Sequence, residues 1–256
     1  MLQQTPVARV VPRLEQWLAR WPTPADLAAA PPGDAVRAWD RLGYPRRALR
    51  LHAAAVAITE QHGGVVPSDL DALLALPGIG DYTARAIAAF AFGARHPVVD
   101  TNVRRVIARA IDGQAEAGPP STRRDLAAME ELLPHSLPDA QLFNAAMMEL
   151  GAIVCTARSP RCFTEPTDCP IADSCRWRAA GYPAYEGPRA AVQATFAGSD
   201  RQVRGLIMAE LRGSDIPVTA AELATTWPDQ TQLGRAIAGL LADGLAVEVT
   251  GGYELP

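Results

Sequence analysis

The 256-residue chain contains no lysine, so its 24 basic side chains are all arginine. Without a lysine amine, no side chain of this protein can form a Schiff base with an aldehyde. The sequence also has no apolar run near the roughly 20 residues that a membrane-spanning helix needs. Its first residues show neither the apolar stretch nor the small-residue cleavage site of a signal peptide. We therefore expect a cytoplasmic protein with no membrane partner.

A basic excess is missing as well, because the net charge is −4, whereas nucleic-acid-binding domains are usually basic. The arginines are nevertheless clustered. Five of them fall within residues 37–50 against a single acid, and three more lie within residues 104–109. Each cluster fits either a solvated helix face or a surface that contacts phosphates, and the pattern alone leaves both interpretations open.

Most of the chain has the sequence pattern of helices. Apolar residues recur every three or four positions, Pro and Gly interrupt them at short intervals, and strands do not alternate with helices. The sequence therefore predicts an all-α body that extends to about residue 180. The predicted helices are 7–20, 24–30, 34–41, 45–62, 69–75, 81–93, 101–111, 122–132, 139–153 and a short one near 171–179.

The pattern changes after residues 183–198, which we interpret as a linker. An apolar helix face recurs through the segment that follows Asp200, and further helices are predicted at 218–223 and 229–243. The last residues alternate around Gly251-Gly252, which predicts a hairpin. Residues 199–256 are therefore predicted to form a small winged-helix-like module.

Two motifs lie about twenty residues apart: LPGIG at 76–80 and VVDTNVRRVIAR at 98–109. The first allows a tight turn whose amides meet the start of the next helix and suit one phosphate, although it also fits a plain turn between two helices. The pair resembles the helix-hairpin-helix DNA glycosylase superfamily, which includes endonuclease III and the MutY-type adenine glycosylases. The resemblance covers residues 1–182 and implies the glycosylase fold of that superfamily for this segment.

The resemblance implies a catalytic role for Asp100. The matching family aspartate faces the sugar of the extruded nucleotide and stabilises the cation that forms when the glycosidic bond breaks. Asp100 also suits the N-cap of the next helix, and both roles are compatible. Endonuclease III-like lyases carry their nucleophilic lysine at the position of Tyr82, so the resemblance favours a monofunctional enzyme. Tyr82 is the second predicted catalytic residue, the alternative being a packing aromatic.

Further site residues are implied by the same resemblance. The opening LQQT matches the MutY segment that probes the duplex, RLGYPRRA (41–48) matches the loop that wedges into the helix, and FNAAMMELGAIVC (143–155) matches the helix before the metal site. Glu149 corresponds to a carboxylate near the adenine, although alone it fits a surface residue. The predicted substrate-binding residues are Glu149 and Asn102, and the predicted DNA-binding residues are Gln3, Gln4, Thr5, Leu42, Tyr44, Gly78 and Gly80.

Four cysteines lie within residues 155–175, with the spacing C-x6-C-x6-C-x5-C. Disulfides are unusual in a cytosolic protein, and the paired C-x2-C ligands typical of zinc are absent. The family binds a [4Fe–4S] cluster through C-x6-C-x2-C-x5-C, so the outer intervals match and the middle one is four residues longer. The resemblance thus implies a [4Fe–4S] cofactor held by Cys155, Cys162, Cys169 and Cys175.

Two features depart from the family. In MutY-type enzymes the sequence S-E-V precedes the matching methionine, and that Glu is the general acid that protonates adenine. We therefore expect the carboxylate to lie two residues before Met1, so that either the start codon is assigned too late or this chain is a truncated and inactive product. In place of the Nudix-like domain of many relatives stands the module at 199–256.

These observations predict a monofunctional glycosylase of base-excision repair, a hydrolase that removes adenine mispaired with guanine or 8-oxoguanine. The expected partner is double-stranded DNA with a mispaired adenine, and the expected state is a nucleoid-associated monomer. Two alternatives stay open. A mismatch thymine glycosylase would share Tyr82 and Asp100. A non-catalytic iron–sulfur protein would read DNA through the winged module.

Overall fold

The computed structural model describes residues 1–3, 5–164, 168–188 and 195–256. In this part of the chain, helices dominate and the β-structure is one two-stranded sheet and an isolated bridge. The chain divides into two compact units. Unit 1 comprises Met1–Pro67, Leu76–Gly78 and Gln193–Pro256, and unit 2 comprises Ser68–Ala75 and Ile79–Val192. Among the described residues, no helix is long and apolar enough to cross a membrane.

Unit 1 begins with four helices that follow the predicted pattern closely. Prolines or a capping residue mark most of their starts, and Thr23 begins α2 with a capping box to Asp26. The helices are α1 (Val7–Arg20), α2 (Pro24–Ala29), α3 (Pro32–Trp39) and α4 (Arg46–Gln61).

The C-terminal module, residues 199–256, has the predicted three helices and hairpin. It contains α11 (Asp200–Gly213), α12 (Ala220–Ala224), α13 (Gln230–Ala242) and an antiparallel pair, β1 (Val247–Val249) with β2 (Gly252–Glu254). Val247 pairs with Glu254 and Val249 with Gly252, and an isolated bridge joins Val218 to Tyr253.

The module does not form a separate core. Its buried residues, including Ile207, Leu211 and Leu240, belong to the same apolar cluster as Trp17 and Trp39 of the N-terminal helices. The compact units therefore do not follow the order of the sequence, because the last part of the chain completes the core that the first part begins. The proposed division at 182 and 199 describes the sequence pattern and stays a prediction about domains.

Unit 2 carries the segments with the chemical motifs. Its helices are α5 (Leu70–Ala75), α6 (Asp81–Phe92), α7 (Thr101–Ala110), α8 (Thr122–Leu132), α9 (Leu137–Glu149) and the short α10 (Arg176–Ala179). Asn144, fully buried in α9, accepts a hydrogen bond from the Val98 amide (2.9 Å) and donates to the His96 carbonyl (3.0 Å). These bonds fix the extended segment that leads to Asp100.

The predicted helix 139–153 differs at its end. The α-helix stops at Glu149 and continues as a π turn over Leu150–Val154. A Cβ on Gly151 would lie 2.7 Å from the Asn102 Cβ, so the turn packs directly against α7. The wider π geometry, which often marks functional sites, therefore coincides with the contact to α7.

Candidate active site and cluster-ligand site

The helix-hairpin-helix turn connects α5 to α6. Gly78 has φ of +77°, a conformation that other residues rarely adopt, and a Cβ there would lie 2.6 Å from the Arg50 Cβ. Gly80 occupies the N-cap of α6 without a side chain, and both glycines are exposed. The amides at the start of this twelve-residue helix are therefore accessible, an arrangement suited to a phosphate.

Asp100 is the N-cap of α7. Its Oδ1 accepts hydrogen bonds from the amides of Asn102 and Val103, both at 2.8 Å, and its Oδ2 accepts one from the Asn102 side-chain amide at 2.9 Å. The carboxylate is half-buried, so part of it remains accessible. The capping role and the predicted catalytic role are thus compatible in one fixed carboxylate.

Tyr82 lies in the first turn of α6 and is 38% exposed. Burial, followed by the negative charge of Asp100, raises the pKa of Tyr82 above its usual value. The phenol is therefore neutral at physiological pH and can donate a hydrogen bond. The charge of Asp100 thus acts on the Tyr82 phenol, and the catalytic roles of both residues stay predictions.

Asn102 and Arg105 extend the polar contacts of Asp100 toward the cysteines. Arg105 donates to the Asn102 side-chain oxygen (2.8 Å), to the Gly151 carbonyl (2.6 Å) and to the Cys155 carbonyl (2.7 Å). The Asn102 side chain thus donates through its nitrogen to Asp100 and accepts through its oxygen from Arg105. Such a fixed amide can orient the Asp100 carboxylate. Glu149, the other predicted substrate-binding residue, is exposed at the last position of α9.

The four cysteines line one small cavity and form no disulfide. The rest of its wall is largely apolar and includes Val106, Ile171 and Trp177. Burial raises the pKa of the Cys162 and Cys169 thiols. Four thiolates would be unfavourable in such surroundings without cations to compensate them, so the donor set suits a metal centre.

This arrangement differs from a site for one metal ion. Within the described ranges, no group of three or more Cys, His, Asp or Glu side chains is close enough to hold a single ion. In a [4Fe–4S] cluster each of four cysteines binds a different iron, so four cysteines that line one cavity are the donor set that such a cluster requires.

Arg109 is 4% exposed and holds the first cysteine of the site. Its guanidinium donates to the Thr156 and Ala157 carbonyls (2.7 and 3.0 Å), lies 3.5 Å from the Cys155 Sγ, and stacks 4.5 Å over the Trp177 ring. On the second cysteine, the Tyr182 hydroxyl donates to the Cys162 carbonyl at 2.8 Å. Sequence reasoning missed both supports, although Arg109 is in a noted arginine cluster.

The N-terminal segment and the loop after α3 converge on Arg47. We define the wedge loop as residues 40–45, between α3 and α4. The Arg47 guanidinium donates to the Thr5 hydroxyl (2.8 Å), to the Gly43 carbonyl (3.0 Å) and to the carbonyls of Met1, Gln3 and Leu42. It also lies 5.5 Å from the centre of the Tyr44 ring. One cation therefore connects the two predicted DNA-contacting segments.

Not all predicted DNA contacts are accessible. Tyr44 is 59% exposed with φ of +49°, as expected of a side chain that projects outward. Leu42 is only 4% exposed and packs in the apolar core, so of these two predicted DNA-binding residues only Tyr44 is accessible in this structure. Thr5 is buried beneath the loop, Gln3 is half-buried, and Gln4 lies outside the described residues.

Comparison with known proteins decides the family. The profile of the HhH-GPD superfamily base excision DNA repair proteins matches residues 1–131. The chain belongs to this superfamily. It is 53% identical over 258 residues to the adenine DNA glycosylase of Mycobacterium tuberculosis (strain ATCC 25618 / H37Rv), an alignment that covers 100% of this chain and 83% of that protein. The predicted resemblance to the MutY-type branch of the superfamily is thereby confirmed.

Relatives of a second substrate class are more distant. A thymine/uracil-DNA glycosylase of Pyrobaculum aerophilum is 34% identical over 176 residues, which cover 68% of this chain and 75% of that protein. The solved structure of a thermostable thymine-DNA glycosylase superposes with a TM-score of 0.61 at 26% identity, covering 70% of this chain and 80% of that one. The predicted helix-hairpin-helix glycosylase fold of the superfamily is confirmed.

Proposed function

We propose that this protein is a monofunctional adenine DNA glycosylase, which hydrolyses the N-glycosidic bond of adenine mispaired with guanine or 8-oxoguanine. The observation that carries the proposal is the fixed Asp100 carboxylate beside a neutral Tyr82, in a chain 53% identical throughout to an adenine glycosylase.

The chemistry follows from the charge of the transition state. Breaking the bond between sugar and base leaves positive charge on the deoxyribose, which an oriented carboxylate stabilises without reorganising. Asp100 meets this requirement because three N–H groups hold it in place. Water then adds to the C1′ of the sugar and loses a proton, while the departing base takes up a proton and leaves as neutral adenine. Tyr82 can donate a hydrogen bond at the same position. No lysine is present to form an imine, so the product is an intact abasic site.

We assign one set of DNA contacts to unit 1 and another to unit 2. Tyr44 is the aromatic that enters the base stack, and Gln3 and Gln4 of the N-terminal segment probe the duplex. The amides at Gly78 and Gly80 bind a phosphate, which positions the duplex without reading its sequence. Glu149 contacts the extruded adenine. The enzyme acts as a cytoplasmic, nucleoid-associated monomer.

The cysteine site is proposed to bind a [4Fe–4S] cluster through Cys155, Cys162, Cys169 and Cys175. When bound, the cluster supplies iron cations that hold four thiolates and so fix the loop between α9 and α10. The purified protein should contain about four irons per chain and show the visible absorbance of such clusters. Stoichiometric zinc without iron would contradict this assignment.

The second candidate is a mismatch thymine glycosylase, favoured by the relative from Pyrobaculum aerophilum. Single-turnover excision from duplexes containing A:8-oxoguanine, A:G and T:G pairs separates the two. The measurement uses the chain as printed and a version extended by Ser-Glu-Val before Met1, which supplies the carboxylate that the family resemblance implies. Adenine release from the extended chain, with little thymine release, supports the proposal, and the reverse preference refutes it.

A further inference from the structure

The C-terminal module has a charge that does not suit DNA. Residues 199–256 contain eight acidic side chains and four arginines, so their net charge of −4 equals that of the whole chain. A surface that binds phosphates normally carries an excess of arginine or lysine. The negative charge of the module therefore favours a role other than direct contact with DNA.

Its polar contacts within unit 1 include both helices that flank the wedge loop. On the α3 side, Arg37 donates to the Ser214 carbonyl (3.0 Å) and to the Arg212 carbonyl. A Cβ on Gly33 would lie 2.3 Å from the Pro256 carbonyl oxygen, so the C-terminus packs directly on α3.

On the α4 side, the contact is ionic. Asp243, just after α13, pairs with Arg46 at 3.2 Å and with Arg204 of its own module. Arg46 is the first residue of α4 and follows the wedge loop directly. The module is thus attached on both sides of a six-residue loop.

The loop between these attachments has an unfavourable backbone. Asp40 and Tyr44 have φ of +46° and +49°, values that residues other than glycine adopt rarely. Such conformations persist only where surrounding contacts determine them. The Trp39 indole contributes one such contact by donating to the Gly43 carbonyl at 3.0 Å.

We propose that the C-terminal module is a positioning element for base extrusion: it fixes α3 and α4 so that Tyr44 projects into the DNA. Asp243 and Arg37 are positioning residues in this scheme and do not touch the substrate. The inference rests on the proposed function, because it takes Tyr44 as the residue that enters the base stack.

The test measures unstacking directly. A duplex with an A:8-oxoguanine pair carries 2-aminopurine beside the 8-oxoguanine, and its fluorescence is recorded at saturating full-length chain. Asp243→Asn should lower the fluorescence rise by roughly 1.5- to 5-fold, the range expected from losing a partly exposed ion pair. Asp243→Glu should restore it, and Arg37→Met should lower it independently.

A matched control separates position from charge. Glu248→Gln removes one negative charge from an exposed residue of the same module, on β1, and should leave the rise unchanged. Affinity for an undamaged duplex should change equally little in Asp243→Asn and Glu248→Gln. A full fluorescence rise with Asp243→Asn and Arg37→Met, both folded by circular dichroism, would overturn the proposal.

Tyr44→Ala separates a failure of the wedge assignment from a failure of the positioning role. If this variant loses the fluorescence rise while the module variants keep it, the wedge stands and the positioning role is wrong. If Tyr44→Ala itself keeps the full rise, the wedge assignment fails, and the positioning role is overturned with it.

Discussion

Units 1 and 2 are stabilised in different ways. Unit 1 has one large apolar cluster in which Trp17 contacts Trp21 and Trp39 edge to face, at centroid distances of 4.7 and 5.9 Å. In unit 2 the apolar clusters are smaller, and directional bonds from Arg105 and Arg109 fix the segments around the cysteines. Apolar packing supplies stability without selecting a ligand, whereas buried polar networks hold particular atoms in place for chemistry.

The first prediction asks whether unit 1 also supplies chemistry. Adding Ser-Glu-Val before Met1 should raise the single-turnover rate of adenine excision by about 10²- to 10⁴-fold, the usual contribution of general acid catalysis. The reason is that adenine leaves poorly as an anion and needs a proton. A Ser-Gln-Val extension of equal length is the control. If residues 1–256 and both extended chains excised adenine at equal rates, the added Glu would contribute nothing. The catalytic residues would then lie in unit 2 alone.

The second prediction concerns the carboxylate of unit 2. In the extended chain, Asp100→Asn should lower the excision rate by about 10²- to 10³-fold, because the sugar cation loses its stabilising charge. Asparagine is an equally good N-cap, so the melting temperature should change little. If Asp100→Asn lowered the melting temperature strongly, the lost rate would reflect a structural role of Asp100. If the variant kept its excision rate, Asp100 would have no catalytic role.

The third prediction tests the apolar core of unit 1. Leu211, 1% exposed, joins the C-terminal module to the core, and Leu211→Ala should lower the free energy of unfolding by about 2–5 kcal/mol. Leu142→Ala, at a position 69% exposed, should have little effect on unfolding. Well below the melting temperature, iron content should be unchanged in both variants, and loss of iron with Leu211→Ala would show that the two units are not stabilised separately.

The smallest expected effect is the titration of Tyr82. Burial and the charge of Asp100 raise its pKa above the ordinary value of 10.0, so the folded phenol stays protonated where an unfolded chain ionises. The stability that this shift contributes is fully present below pH 10 and is lost as pH rises through the raised pKa. The phenolate absorbance of wild type minus Tyr82→Phe should give a midpoint above 10, and Asp100→Asn should lower it. An unchanged midpoint in Asp100→Asn would contradict the proximity of the two groups.

Local signals predicted much of the fold. The spacing of apolar residues and the interruptions by Pro and Gly placed most helix ends within two residues, and the pairing of LPGIG with the segment around Asp100 indicated the family correctly. The burial of Leu42 was not predictable from its loop, because the core that covers it includes residues more than 150 positions away. The cluster of arginines at 37–50 left open a solvated helix face or phosphate contacts, whereas Arg47 is engaged mainly with carbonyls of its own chain. These hydrogen-bond partners come together only in the tertiary structure, so no periodic pattern in the sequence predicts them.

The shared core of unit 1 also has a consequence for synthesis. Arg37 finds its carbonyl partners 175 and 177 residues later in the chain. At translation rates of about 5–20 residues per second, roughly 10–40 s pass between the synthesis of the N-terminal helices and the synthesis of the segment that covers their apolar faces. Unit 2 ends at Val192, so all of its residues are synthesised before the segment that completes the core of unit 1, and that core is the last part of the fold to close.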